Sequence, residues 1–169
     1  MFMMAFYPKS EDARRVISNQ RIKIKFEIDT DNPPGGNTVF KYRMLPAPYE
    51  VQVFDEATLF AGKIHAVLCR EYKSRVKGRD YYDYLFYIGK GVPFNLTYLE
   101  NKLKNTGAIN EDTVLTLETV KQMLAEKFNT VDYSSAKEDV SNFLEDKESL
   151  HIWKPALFLA SLDELTASK

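Results

Sequence analysis

The sequence predicts an α+β protein in which a short antiparallel sheet is followed by packed helices. Apolar and polar residues alternate in the early part of the chain, as they do in half-buried strands, and the later part shows the spacing of amphipathic helices. Gly89 and Gly91 interrupt the pattern between the two parts. We therefore predict a first domain over residues 1–91, of which 1–18 are poorly defined, and a helical bundle domain over residues 92–169.

Three strands are predicted for the sheet. Residues 21–29 alternate without interruption, and their apolar positions should face a core: Ile22, Ile24, Phe26 and Ile28. The proline- and glycine-containing residues 31–37 must turn, because proline has no N–H to donate to a strand. Residues 38–44 and Tyr49–Phe54 are the next two predicted strands, and their short connections favour an antiparallel meander.

Helices are predicted after the sheet. Asp55 and Asn95 are predicted N-caps, since their side chains can accept hydrogen bonds from the first free N–H groups of a helix. Pro155 should lie in the first turn of the last helix or kink it. The predicted helices are residues 56–70, 80–88, 95–104, 115–128, 135–144 and 150–165. The predicted core of the bundle comprises Leu96, Leu99, Leu103, Leu117, Val120, Leu124, Phe128, Val140, Phe143, Leu144, Trp153, Leu157 and Phe158.

Composition and charge exclude several classes of protein. The 169 residues carry 23 basic and 24 acidic side chains, so the chain is not a globally basic nucleic-acid-binding protein. The single cysteine excludes an internal disulfide, and the two histidines argue against a histidine-built zinc site. No apolar stretch approaches the roughly 20 residues that span a bilayer, and the first residues lack the features of a signal peptide. We expect a cytoplasmic protein without membrane association.

The residues best suited to chemistry are concentrated on two adjacent predicted helices. Lys63 and Arg70 fall on one face of the first helix, together with small and apolar residues. Gly62 costs about 1 kcal/mol in a helix relative to alanine, which indicates close packing or a ligand near the backbone. Asp80 and Asp83 share a face of the second helix. Structural explanations also exist: Lys63 as a surface side chain and Asp80 as a helix cap.

Residues 70–79 are rich in basic side chains. Lys73, Arg75 and Lys77 lie close to Tyr72, and together these residues could contact phosphates and stack on bases. A solvated loop would have the same composition. The sequence leaves both interpretations open.

Two further patterns are short enough to have ordinary structural explanations. Asp29 and Asp31 have the spacing of carboxylates in metal-dependent phosphoryl-transfer sites, but aspartates are also common in turns. Cys69 lies one helical turn after His65, as a thiol and its base would. Nothing else supports a nucleophile at this position, and we interpret Cys69 as a packing residue.

These residues resemble the AbiEii/AbiGii toxin family of nucleotidyltransferase-like proteins over roughly residues 20–90. The resemblance rests on Lys25-Phe26-Glu27-Ile28, on Glu56 and Leu59, and on Lys63-x-x-Ala66-x-x-x-Arg70 followed by Arg79-Asp80-Tyr81-Tyr82-Asp83. It implies part of a nucleotidyltransferase fold ahead of the helical bundle. It also implies a bacterial toxin of a toxin–antitoxin or abortive-infection system, whose partner is an antitoxin.

The resemblance assigns roles to individual residues. Glu27 corresponds to a carboxylate that holds magnesium, Lys63 to a lysine that contacts the triphosphate or the base, and Asp80 to an essential aspartate. The nucleotide-binding residues would be Lys63, Arg70, Arg79 and Asp83. Intact relatives are expected to transfer a nucleotide from an NTP to an RNA or other acceptor with magnesium.

Half of the family's site is not found in this sequence. The glycine turn and the carboxylate pair that normally precede a strand such as residues 21–29 do not occur ahead of it here. We therefore expect a truncated or split nucleotidyltransferase component, inactive alone, that uses magnesium only if the missing half is supplied. The alternatives are a non-catalytic protein that pairs with a partner or as a homodimer through an exposed sheet edge, and an RNA binder that uses residues 70–79.

Overall fold

A computed structural model of the chain describes residues 28, 30, 32–70, 75–144 and 146–168. The chain divides into two units, Met1–Asp31 and Asn32–Lys169, and every helix and strand named below belongs to the second. Within the predicted strand 21–29 only Ile28 is described. Ile28 is exposed and lies outside any strand, so its predicted position in a core is wrong. An alternating pattern shows which side chains could face a core, but burial also requires another element to pack against them. Glu27, Asp29, Asp31 and Lys73 lie outside the described residues.

The other two predicted strands form a hairpin. β1 (Thr38–Arg43) and β2 (Tyr49–Phe54) pair antiparallel, in a register that runs from Thr38 opposite Phe54 to Arg43 opposite Tyr49. This confirms the predicted antiparallel connection. Within the described residues no further strand pairs with the hairpin, and its outer side chains are exposed.

Helices make up most of the described chain. They are α1 (Glu56–Cys69), α2 (Gly78–Gly89), α3 (Leu96–Asn105), α4 (Leu117–Thr130), α5 (Tyr133–Ser141) and α6 (Pro155–Ala160). The predicted caps of α1 and α3 are confirmed, because Asp55 and Asn95 accept hydrogen bonds from the backbone N–H groups three residues later, each at 2.8 Å. The predicted α+β class is therefore confirmed.

The predicted helix 150–165 is wrong in extent. A 3₁₀-helix (Glu148–Ile152) precedes α6, and Pro155 occupies the first turn of α6. Lys154 is extended, at φ −154° and ψ 164°, because the ring of a proline disfavours the helical conformation in the residue before it. The last described residues form a strand, β4 (Ala167–Ser168), which pairs in parallel with β3 (Phe94–Asn95).

The core is an aromatic cluster that draws on most of the helices. The Phe128 ring lies 5.3 Å from Tyr84 and 5.2 Å from Phe158, and Trp153 meets Phe158 edge-on at 5.5 Å. Such contacts add to the burial of large apolar surfaces. The members on α2 and on α4 lie on opposite sides of the predicted boundary at residues 91–92, and the division into those two domains stays a prediction.

Most of the predicted bundle core is buried. The buried members are Leu99, Leu103, Val120, Leu124, Phe128, Val140, Trp153 and Phe158. Phe143 is the exception at 64 % exposure, because α5 ends at Ser141 and the ring then lies outside the packed face. The guanidinium of Arg79 lies over it, 4.8 Å from the ring centroid.

The turn before the hairpin is fastened to the helices. Gly35 has a φ of +92°, which a glycine adopts without strain. Its carbonyl accepts a hydrogen bond from the side chain of Asn95 at 2.9 Å, and the N–H of Asn37 donates to the hydroxyl of Thr58 at 2.9 Å. These bonds connect the entry to β1 with the start of α1 and the start of α3.

Candidate functional site

α1 presents Lys63 and Arg70 on one side and a buried apolar face on the other. Phe60, Ile64 and Val67 recur at the spacing of helical turns and have no exposed surface. Lys63 and Arg70, which are seven residues apart, both stay partly exposed, at 39 % and 43 % of their side-chain surface. The burial of one face therefore fixes the direction in which Lys63 points, and Arg70 is the extended residue that directly follows the end of α1.

α2 supplies a carboxylate for each of these cations. Lys63 Nζ lies 2.7 Å from Asp83 Oδ2, and Arg70 Nη1 donates to Asp80 Oδ2 at 2.5 Å. Only 9 % of the Asp80 side chain is exposed, against 35 % for Asp83. Asp80 therefore holds an arginine and Asp83 holds the lysine, and all four side chains lie together.

The two ion pairs border a polar cleft of about 290 Å³. Its lining consists of Lys63, Arg70, Lys77, Arg79, Asp80 and Asp83. Four cationic side chains against two carboxylates give this surface an excess of positive charge. Such a surface favours an anion, and closely spaced ammonium and guanidinium groups are suited to phosphate oxygens.

The start of α2 is anchored on α5 by a buried carboxylate. The Asp139 side chain is 2 % exposed, and its two oxygens lie 3.4 Å from Arg75 Nε and 3.8 Å from Arg79 Nε. Gly78 makes the close approach of the helices possible, since a Cβ at this position would lie 1.9 Å from the carbonyl oxygen of Ala136. The predicted nucleic-acid residue Arg75 therefore pairs with Asp139, while Lys77 lines the cleft.

A comparison with protein families shows which family the chain belongs to. The sequence model of a family described as "Nucleotidyl transferase AbiEii toxin, Type IV TA system" matches residues 4–164. The chain belongs to the AbiEii family. The match extends through the helices of the second half, well beyond the stretch 20–90 that carries the resemblance. The comparisons with curated proteins and with solved structures gave no match.

Membership in the AbiEii family implies magnesium, an NTP substrate and an antitoxin partner. Within residues 28, 30, 32–70, 75–144 and 146–168, no three His, Cys, Asp or Glu side chains are grouped so that they could hold a metal ion. Asp80 and Asp83 are each engaged with a cation instead. The described residues of this AbiEii chain therefore do not fit a magnesium site by themselves.

His65 and Cys69 face away from the cleft, in a groove on the neighbouring face of α1. Burial raises the pKa of the Cys69 thiol, and the hydroxyl of Thr106 opposes this rise only in part. Burial, then the nearby charges of Lys102 and Arg70, lower the pKa of His65. Cys69 packs against the core, as predicted, and a thiol with a raised pKa is a poor nucleophile.

Sequence reasoning missed Asp139, and one of its two explanations for Gly62, close packing, is wrong. Asp139 occupies a buried position of α5, one turn after Ala136, and a carboxylate on an otherwise apolar face was the available signal. No atom lies within 4 Å of a Cβ built on Gly62, so close packing does not explain this glycine. No helix among the described residues of this AbiEii protein is long and apolar enough to cross a membrane.

Proposed function

We propose that the cleft between α1 and α2 binds the phosphate groups of an NTP in a nucleotidyltransferase toxin. The observation that carries the proposal is that four cations, Lys63, Arg70, Lys77 and Arg79, line one cleft with only two carboxylates, Asp80 and Asp83. The AbiEii family match supports the reaction class. We propose an RNA or another nucleophilic group as the acceptor and the cytoplasm as the location, because both NTP and RNA are found there.

Lys63 is proposed to bind the phosphates and Arg70 to support it. The ammonium group of Lys63 is partly exposed and already oriented by Asp83 at 2.7 Å, so a triphosphate can reach it without a large rearrangement. In nucleotidyl transfer negative charge grows on the leaving pyrophosphate, and a fixed cation at that place stabilises the transition state. Asp80 is a positioning residue here, since it is buried and holds the guanidinium of Arg70.

The metal ligands of the reaction are proposed to come from elsewhere than the described cleft. The glycine turn and the carboxylate pair of the family pattern do not occur ahead of residues 21–29 in this sequence. Magnesium-bridging carboxylates are required to activate the attacking and leaving oxygens. We therefore propose that these 169 residues bind an NTP and do not transfer a nucleotide without carboxylates that lie outside them.

Binding and transfer are tested separately. ATP binding is measured by calorimetry on the full chain and on Lys63→Ala. Lys90→Ala is the matched control, because Lys90 pairs with Glu56 across the same two helices and is 40 % exposed, against 39 % for Lys63. We expect Lys63→Ala to weaken ATP binding at least about tenfold, the cost of one charge-assisted contact. Equal affinities for the two variants, or no ATP binding to the unaltered chain, would contradict the proposed role of the cleft.

Transfer is followed with labelled NTPs, magnesium and total RNA. The chain alone should give no labelled RNA or labelled protein, because the carboxylate pair is missing from its sequence pattern. Incorporation by the purified chain, lost in Lys63→Ala, would show that the catalytic set is complete within it. That result would overturn the proposed division of the active site while leaving the binding proposal in place.

The hairpin supports a second candidate function, which is pairing with a second copy of the chain. Phe40, Tyr42, Met44 and Leu45 are between 62 % and 82 % exposed, and within the described residues both edges of the hairpin are unpaired. Unpaired edges with apolar side chains invite another strand. Light scattering should show a dimer that Phe40→Lys with Tyr42→Lys disrupts. A chain that stays monomeric at micromolar concentration would exclude this function.

RNA binding through residues 70–79 is the least supported candidate. Of the residues predicted for it, Arg75 lies 3.4 Å from the buried carboxylate of Asp139, and Lys73 lies outside the described residues. The pairing with Asp139 reduces the charge that Arg75 offers to phosphates.

A further inference from the structure

A concave surface larger than the cleft lies elsewhere on the described residues. It is a groove of about 870 Å³ between α1, α3 and α4, within the size range of small-molecule sites. Its lining includes Gly62, His65, Arg70, Lys102, Glu126 and Lys127. Only Arg70 borders both the groove and the cleft, because it lies at the end of α1 between the two faces.

The charged side chains of the groove favour an anion. Three of the described lining residues are basic, Arg70, Lys102 and Lys127, and one is acidic, Glu126. They come from three different helices, so the positive charge surrounds the groove instead of following one helix. Lys127 also donates to the backbone carbonyl of Leu68 at 3.4 Å, which holds its ammonium group near the end of α1.

The floor of the groove is mostly apolar and carries an oriented histidine. Ala66, Leu68 and Met123 contribute apolar surface beside the ring of His65. Nε2 of His65 lies 3.1 Å from the hydroxyl of Thr106, and that hydroxyl also reaches the carbonyl of Lys102 at 3.0 Å. A hydroxyl that donates to a carbonyl accepts from the imidazole N–H, which fixes the ring. A fixed, flat, weakly basic ring is a suitable surface for a planar group.

Gly62 leaves open space beside the helix backbone in this groove. A glycine within a helix costs about 1 kcal/mol relative to alanine. Gly62 does not have a positive φ, and no atom lies within 4 Å of a Cβ built on it. Neither conformation nor packing within the described residues therefore requires a glycine. Its missing side chain does leave the wall of the groove open.

We propose that this groove binds a phosphorylated small molecule with a planar body, of the size of a mononucleotide. The phosphate would lie among Arg70, Lys102 and Lys127, and the planar group would lie against His65 and the backbone of α1 at Gly62. The site is distinct from the proposed NTP cleft and does not depend on it. A ligand bound here can affect that cleft through Arg70, which is shared by both surfaces.

AMP is the probe for the groove, with adenosine and inorganic phosphate as its two halves. Calorimetry on the full chain should show saturable AMP binding and weaker binding of either half. Gly62→Leu fills the groove at a position where the fold leaves space, so the variant should stay folded and lose AMP affinity at least about tenfold. Gly89→Leu is the matched control, because a Cβ on Gly89 also meets no atom within 4 Å and lies outside the groove.

Three further variants separate the groove from the cleft. Lys102→Ala removes one of the basic groups of the groove and should weaken AMP binding about tenfold. Lys90→Ala lies outside both surfaces and should leave AMP affinity unchanged, whereas Lys63→Ala shows whether AMP binds in the cleft instead. The proposal is overturned if AMP does not bind saturably at millimolar concentration. It is equally overturned if Gly62→Leu and Lys102→Ala bind AMP like the unaltered chain, or if Lys63→Ala abolishes the binding.

Discussion

Replacing Gly78 with alanine should separate α2 from α5 and destabilise the fold. An added Cβ would lie 1.9 Å from the carbonyl oxygen of Ala136, 2.8 Å from its carbonyl carbon and 3.1 Å from Val140 Cβ. The two closest atoms are backbone, so relief requires the two helices to move apart. Overpacking of this kind costs about 1–3 kcal/mol, and occasionally more, which outweighs any gain in helix propensity.

Gly62→Ala provides the opposite expectation on the same fold. A Cβ at residue 62 meets no atom within 4 Å, so the substitution should add about 1 kcal/mol through helix propensity alone. For a chain of this size, 1 kcal/mol corresponds to about 2–4 °C in the midpoint of thermal unfolding. We expect Gly78→Ala to lower the midpoint by about 2–12 °C and Gly62→Ala to raise it by about 2–4 °C, measured by circular dichroism.

The two variants together test the packing that places α2. A Gly78→Ala midpoint equal to that of the unaltered chain would show that α5 does not pack on the start of α2 as described. A Gly62→Ala midpoint that falls would show that the wall of the groove is not open. In urea unfolding, a lower midpoint for Gly78→Ala without a change in the m-value would confirm that the substitution destabilises the folded state and does not alter the unfolded ensemble.

Four other substitutions give distinct outcomes. Asp80→Asn removes the charge beside Arg70 and should lower the free energy of unfolding by about 1 kcal/mol in urea, whereas an unchanged midpoint would show that the pair is energetically silent. An NMR titration should give His65 a pKa below its ordinary value of 6.5, and this pKa should rise in Lys102→Ala. Below pH 6.5 the unfolded chain binds more protons at residue 65 than the folded chain does, so the free energy of unfolding should fall as the pH falls through 6.5. His65→Gln should remove this contribution to the pH dependence of stability. Thr58→Val removes the acceptor of the part-buried hydrogen bond from the N–H of Asn37 and should cost about 0.5–1.5 kcal/mol, which equal unfolding curves would refute.

Local rules predicted the parts of this fold that depend on neighbours in sequence. The hairpin strand Tyr49–Phe54 and the caps Asp55 and Asn95 follow from alternation and from side-chain acceptors at helix starts. The predicted extent of the last helix was wrong because Pro155 begins a short helix and the residue before it is extended. The predicted burial of Phe143 was wrong because the prediction extended the helical spacing beyond Ser141, the residue at which α5 ends.

The candidate site was predictable in its membership but not in its pairing. Spacing placed Lys63 and Arg70 on one helical face, and Asp80 and Asp83 on another, but it does not say how two helices face each other. That depends on the buried contacts between them, such as Phe60 stacked on Tyr87 at 5.0 Å. The groove beside His65 requires three helices to be placed, which no local pattern provides.

The order of the contacts explains why Asp80 pairs with Arg70. Phe60 meets Tyr87, Lys63 meets Asp83 and Arg70 meets Asp80, so later residues of α1 face earlier residues of α2. Two helices that run in opposite directions give this order, and a direct pair between Lys63 and Asp80 would require a shift of almost one helical turn. An aspartate that is 9 % exposed and bonded to a guanidinium at 2.5 Å is poorly placed to act as a free acid or base. Its loss should therefore affect the cleft through the orientation of Arg70, and Asp80→Asn should weaken ATP binding less than Lys63→Ala does.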